Sequence, residues 1–286
     1  MAIPAEVVRV KVKSLVLTGY GINCEMETAY ANRLAGAEAT IAHINDVIDG
    51  RYDLENYHIL NFPGGFSYGD DLGSGKAFAN KLLYAKTPNG PMIDQILKFI
   101  EDGKLIIGIC NGFQILAKMG LLPGFGGNYK EQTCTVFYND RGFRDAWVYL
   151  KLNQGSKCLF TKGIERMYLP IRHGEGKFIP ADRSVLERLW RNGQVVMQYA
   201  DEGYRPTMEF PMNPNGSVDA IAGICDETGR VFGLMPHPEA FNHITNHPHY
   251  ARLCQEYRRK GKPLHEEGEG VQIWRNAVGY ALEKLA

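Results

Sequence analysis

Apolar and polar positions divide this 286-residue chain into two stretches of different rhythm. Up to about residue 120, short apolar runs alternate with segments of helical period. "SLVLTGY" (14–20), "ATIAHI" (39–44), "YHILNFPGG" (57–65) and "KLIIGIC" (104–110) read as strands. "NCEMETAYANRLAG" (23–36), the segments 74–85 and 91–102, and "NGFQILAKMG" (111–120) read as helices. Asn23 is the expected N-cap of the first helix, with Glu25 and Glu27 in its first turn and Gly36 as its stop. Gly120 ends the last of these helices. The strands lack polar alternation, as strands covered on both faces do. The expectation is an α/β fold, a mostly parallel central sheet flanked by helices.

From about 130 to 236 the chain turns β-rich. "TCTVF", "AWVYLKL", "RMYLPI", "VVMQY", "DAIAGI" and "RVFGLMP" read as strands, with "NPNGS" and "DETGR" as turns. "RSVLERLWRNG" is the one helical pattern among them. The last 45 or so residues look helical, broken by the polar "GKPLHEEGEG". No linker or repeat interrupts this order. One domain over 1–286 is expected: a core over 13–242, a polar insertion over 243–270 and a final helix over 270–285.

Composition narrows the function. Acidic and basic residues number 32 each, so no net charge argues for a nucleic-acid or membrane partner. The six cysteines (Cys24, Cys110, Cys134, Cys158, Cys225 and Cys254) show no paired C-x-x-C spacing, a reducing-compartment pattern. Pro4, Glu6, Arg9 and Lys11 interrupt any secretion signal. A cytoplasmic protein is expected.

Three Gly-rich loops follow predicted strands: "TGYGIN", "PGGFSYGDDLGSG" and "CNG". Ligands of open α/β sheets bind at such strand ends. Gly108-Ile109-Cys110-Asn111-Gly112 is the cysteine counterpart of the G-x-S-x-G nucleophile elbow. Such a corner needs glycine on both sides and projects the sulfur at a helix N-terminus, which favours a thiolate. A buried thiol at a tight turn fits the same five residues. The choice depends on a base, and His237-Pro238-Glu239 offers one. Pro238 holds His237 extended, and Glu239 two residues on can lie beside the imidazole. The Gly64-Gly65 pair leaves backbone N–H groups open to a second oxyanion contact.

Other signals are weaker. "TGYGINC" lacks the third glycine of a dinucleotide fingerprint. "GSGKA" has Asp70 and Ala77 where a phosphate loop needs glycine and Ser/Thr. His243, His247 and His249 crowd together, but Pro248 prevents a simple helical ligand pair. No metal site is expected.

"PGGFSYGD", "GICNGFQIL", "LPIRHGEG", "NPNGS", "IAGI" and "GLMPHPE" together resemble the class I (triad) glutamine amidotransferases, in the branch serving phosphoribosylformylglycinamidine synthase. The resemblance runs from about Lys13 to Glu239 and resumes weakly at "GVQIWRNAVGYALEKL". It implies a flavodoxin-like fold and the hydrolysis of glutamine to glutamate and ammonia through a glutamyl thioester. It implies Cys110 as nucleophile, His237 as base, Glu239 as its orienting carboxylate, and the N–H groups of Gly65 and Asn111 as oxyanion hole. It also implies Gly64, Gln114, His173 and Gly174 around the glutamine. The implied partners are an ATP-dependent synthetase subunit that takes the ammonia and a small accessory subunit. No cofactor is implied for this chain, ATP and magnesium being used by the synthetase. Ala240 stands where the family often has arginine, and "FYNDRGFRDAWVYL" matches loosely. An amidotransferase serving a different synthetase, or a non-catalytic scaffolding subunit on the same fold, are the alternatives.

Overall fold

The computed structural model describes residues 11–285. Pro4, Glu6 and Arg9, which argue against a secretion signal, lie outside them. β1 (Lys13–Thr18) leads to α1 (Glu25–Leu34), and β2 (Glu38–His43) runs straight into the short α2 (Ile44–Ile48). β3 (Ile59–Phe62) is followed by α3 (Lys76–Tyr84). A small hairpin, β4 (Lys86–Thr87) with β5 (Gly90–Pro91), precedes α4 (Met92–Glu101). Then come β6 (Leu105–Ile109) and α5 (Asn111–Met119). The second half holds β7 (Cys134–Tyr138), β8 (Arg144–Leu152), β9 (Arg166–His173), β10 (Glu175–Pro180), α6 (Arg183–Arg191), β11 (Val195–Ala200), β12 (Ile221–Cys225) and β13 (Val231–Leu234). α7 (Tyr250–Arg259) and α8 (Val271–Lys284) close the chain.

Nine strands form one sheet in the order β2-β1-β3-β6-β13-β12-β11-β8-β9. The first five pair in parallel and the remaining four join antiparallel. Antiparallel neighbours alternate, so β11 and β9 recover the direction of the parallel block. The expected mostly parallel sheet is what forms. As a consequence the carboxyl ends of β1, β3, β6, β13 and β9 all meet one edge. β3 and β6 are buried along their whole length, as their unbroken apolar runs require.

The "RHGEG" segment joins two strands. His173 ends β9 and Glu175 begins β10, which pairs with β7 in a separate ribbon. Glycines and charges hide this strand from a hydrophobic pattern, because its pairing comes from β7 rather than from a buried face. The polar insertion is a closed excursion: His243 bridges Glu267, and Ile244 N–H donates to Glu266 O at 2.7 Å. α7 lies inside it.

One apolar core runs under both halves of the sheet, from Leu15 and Ile107 to Leu150 and Met197. α8 seals it with Trp274, wholly buried, whose Nε1 donates to Asn61 Oδ1 at 3.0 Å. Asn61 also donates to Ser14 Oγ, and Ser14 to Asn32 Oδ1, so these buried polar groups are satisfied. Among the described residues no helix is long and apolar enough to cross a membrane.

Candidate active site

Cys110 stands between β6 and α5 with φ 51° and ψ −105°. A non-glycine residue in that region is strained and persists only where its surroundings fix it. The fixing contacts are visible. Cys110 N–H donates to Leu234 O of β13 at 2.8 Å, and Gln114 N–H donates back to Cys110 O at 3.1 Å. The two glycines serve different ends. A Cβ on Gly108 would come 2.6 Å from Gly112 O, so it clears the turn itself. A Cβ on Gly112 would sit 1.8 Å from Phe62 O, so this glycine lets α5 press against β3.

His237 follows β13, pinned by its N–H to Pro170 O of β9 at 2.8 Å. Pro238–Ala240 is a single 3-10 turn, and this turn, rather than extended alternation, brings Glu239 beside the ring. Glu239 Oε1 is 2.5 Å from His237 Nδ1. Both side chains are buried, and His237 Nε2 and Glu239 Oε2 have no hydrogen-bond partner. Burial alone would keep the imidazole neutral. The Glu239 carboxylate and the neighbouring Cys110 sulfur outweigh it, so His237 holds its proton well above the usual histidine range. With Nδ1 bound to Glu239, Nε2 is the nitrogen left for chemistry.

The loop after β3 packs on the loop after β1. Asn23 and Cys24 both donate their N–H to Gly64 O at 3.2 Å, and Phe66 N–H donates to Gly21 O at 2.7 Å. This commits the "TGYGIN" backbone to protein rather than to phosphate. It also corrects the first helix cap: Cys24 occupies the N-cap position and Asn23 does not, its backbone being held by Gly64. Gly64 lies so close to His237 that a Cβ would meet Cε1 at 2.7 Å. Gly65 has φ 153° and faces Gly21 O, which excludes a side chain. Among the described residues the N–H groups of Gly65 and Asn111 donate to no protein acceptor.

Asn111 locks this loop to α5. Its Oδ1 accepts from Ser67 N–H at 3.3 Å, and its Nδ2 donates to Gln114 Oε1 at 2.8 Å and Asp70 Oδ1 at 3.3 Å. Burial pushes the Asp70 carboxyl up to about 6, against the pull of the Gly75 N–H. Gln114 spends its amide inside the protein, accepting from Asn111 and donating to Glu175 O. It does not line the reacting cavity, contrary to expectation. Nor does His173, whose ring lies over Gly176 with neither nitrogen partnered. Burial, aided by the charge of His237, pushes His173 down to about 3, so it is neutral. Gly174 is likewise absent from the cavity wall, and so is Gly64, whose place is against His237.

That cavity, about 250 Å³, has Cys110, His237 and Gly65 on its wall. Asn23, Cys24 and Glu27 come from the start of α1, and Phe66, Phe143 and Arg172 complete it. Arg172 and His173 are neighbours in β9, so their side chains take opposite faces. That alternation was the signal in the sequence for choosing Arg172. A larger cavity of about 430 Å³, between Asp53 and Lys104, lies at the amino ends of β3 and β6, away from this chemistry. Cys24, His237 and Glu239 hold ligand-type atoms within 4.8 Å of one another. The 2.5 Å approach of Nδ1 to Oε1 is a hydrogen bond, shorter than the roughly 3.3 Å between two ligands on one tetrahedral zinc. His243 bonds to Thr245, His249 N–H donates to His247 Nδ1, and the His247 ring lies tilted against Trp147.

The model of the CobB/CobQ-like glutamine amidotransferase domain matches residues 11–281. The chain belongs to that family. Among curated relatives, this amidotransferase is 46% identical over 276 residues to the phosphoribosylformylglycinamidine synthase subunit PurQ of Methanococcus maripaludis, covering 96% of this chain and 98% of that one. It is 43% identical over 271 residues to the PurQ of Dehalococcoides mccartyi, covering 95% and 98%. Among solved structures, it superimposes on a chain of PurLQS from Thermotoga maritima with a TM-score of 0.67 and 28% identity, over 95% of this chain and 99% of that one.

Proposed function

We propose that this amidotransferase is the glutaminase subunit of phosphoribosylformylglycinamidine synthase, one domain along its whole length. The observation that carries the reading is His237, bonded to Glu239 and sharing with Cys110 the wall of a cavity of about 250 Å³. The near full-length similarity to PurQ proteins gives it its pathway.

His237 Nε2 already holds the proton given up by Cys110, and the thiolate sulfur attacks the side-chain amide carbon of glutamine. The carbonyl oxygen gains the electron pair and accepts from the free N–H groups of Gly65 and Asn111. The intermediate collapses as the imidazolium protonates the leaving nitrogen, releasing ammonia and leaving a glutamyl thioester. Water, losing a proton to His237, then attacks the thioester; glutamate leaves and the thiol is restored. Glu239 accepts from Nδ1 and favours the imidazolium. Gln114 acts one step back, positioning Asn111.

The ammonia passes to a synthetase subunit that uses ATP and magnesium to make the amidine, with a small accessory subunit in the assembly. This chain binds no cofactor, and the complex works in the cytoplasm. A purely scaffolding subunit would have no use for a strained cysteine facing a buried His-Glu pair. The test is reconstitution. Added to the synthetase subunit, the chain raises glutamine-dependent synthesis and leaves ammonia-dependent synthesis unchanged. No gain with glutamine contradicts the assignment.

A further inference from the structure

The insertion over 243–270 leaves the chain just after the His237–Glu239 turn and comes back to the same turn. Asn242 sits at the junction. Its Nδ2 donates to Glu239 O at 2.9 Å, and its own carbonyl accepts the Gly268 N–H at 3.0 Å. Two residues on, Gly270 N–H donates to Phe241 O at 3.1 Å. Close approach demands both glycines. A Cβ on Gly268 would come 2.3 Å from Phe241 O, and one on Gly270 would come 1.8 Å from Pro238 O. The bridge between His243 and Glu267 ties the two legs of the insertion at its base. Gly270 then leads straight into α8, which the wholly buried Trp274 fixes in the core. On its other side the turn is tied to β9, where His237 N–H donates to Pro170 O. The turn that carries Glu239 is thus gripped from both sides.

Glu239 needs that grip. Its side chain is wholly buried, and Oε1 lies 2.5 Å from His237 Nδ1, so a small shift of its backbone lengthens the bond that orients the ring. Among the described residues no other side chain donates to Glu239 O. We infer that Asn242 is a positioning residue for the His237–Glu239 pair, and that the insertion acts as a clamp on their turn. Asn242 is absent from the wall of the reacting cavity, so it works only through Glu239. This inference rests on the glutaminase reading above.

The test uses the complex with its synthetase subunit. Asn242→Asp has the shape of asparagine but brings no N–H donor, and Asn242→Ala removes the group altogether. Both lower kcat with glutamine about 10-fold and keep KM within about threefold, because the loss falls on the reacting groups and not on binding. In both, NMR shows His237 losing its proton at lower pH than in the wild type, since Glu239 holds that proton less firmly. The other groups around the pair, Cys110, Cys24, His173 and Arg172, are unchanged in these variants. Gly268→Ala, which drives a methyl group towards Phe241 O, gives the same split without touching Asn242. Asn246→Ala removes only a bond inside the insertion, from His243 N–H, and keeps the wild-type rate. Ammonia-dependent synthesis stays at the wild-type level throughout. Wild-type kcat in Asn242→Asp, or a loss of rate with the His237 titration unmoved, overturns the inference and leaves the glutaminase reading in place. A wild-type complex that does not hydrolyse glutamine overturns both.

Discussion

The His237 imidazole lies against the bare Cα of Gly64, where a Cβ would come 2.7 Å from Cε1. The φ of Gly64 lies outside the left-handed region, so alanine there is a steric test and not a backbone one. Gly64→Ala displaces the ring from Cys110 while the fold survives. Glutamine-dependent kcat falls about 100-fold, the cost of an ångström-scale misplacement. Ammonia-dependent synthesis by the complex stays intact. Steady-state rates with the two nitrogen sources check this.

Glu239→Gln removes the carboxylate that raises His237. The His237 proton is then lost at lower pH, because burial is no longer opposed by that charge. A kcat loss of about 1,000-fold or more accompanies it, as when a buried orienting carboxylate becomes an amide. NMR titration of the His237 ring and the glutamine rate profile are the measurements.

Gly112→Ala drives a methyl group into Phe62 O, 1.8 Å away, and lifts α5 off β3. Overpacking of this kind costs about 3 kcal/mol or more, because backbone and not a flexible side chain must yield. Gly279→Ala, with open space around the new Cβ and a helical backbone, is neutral or slightly stabilising. Urea unfolding of the two variants gives the contrast.

His173 sets an acid limit on stability. Its folded pKa, about 3, lies below the ordinary value of 6.5. Below pH 6.5 the unfolded chain binds a proton that the folded chain refuses. Stability is therefore complete above that pH and declines as pH falls towards 3, by up to about 1.4 kcal/mol per unit. Neither ring nitrogen has a partner to orphan, so His173→Leu flattens this slope. Denaturant midpoints across the acid range measure it.

Cys110, His237 and Glu239 were legible in the sequence because strand-end loops are local grammar. A strand, a glycine-flanked cysteine and a helix specify a corner without tertiary information. The parallel half of the sheet was legible for the same reason, since buried strands carry unbroken apolar runs. β10 was not, because its Gly176 and Lys177 pair with β7 at a ribbon without a continuous apolar face. The wall of the cavity beside Cys110 was hardest. His173 and Arg172 are one residue apart, and only the phase of β9 decides which reaches the cavity. Gln114 was not decided by the sequence, because a polar side chain after the nucleophile fits either task, holding substrate or holding Asn111.

Two thiols share the cavity wall, Cys110 and Cys24, and His237 Nδ1 is 4.0 Å from Cys24 Sγ. The central claim is that only Cys110 is the nucleophile, since Nδ1 is committed to Glu239 and burial pushes the Cys24 thiol up. The direct measurement is mass spectrometry of the complex quenched in acid during glutamine turnover. The account predicts a glutamyl adduct on the peptide holding Cys110, absent in Cys110→Ala together with all glutamine-dependent synthesis. An adduct on Cys24, or glutamine-dependent synthesis surviving Cys110→Ala, contradicts it.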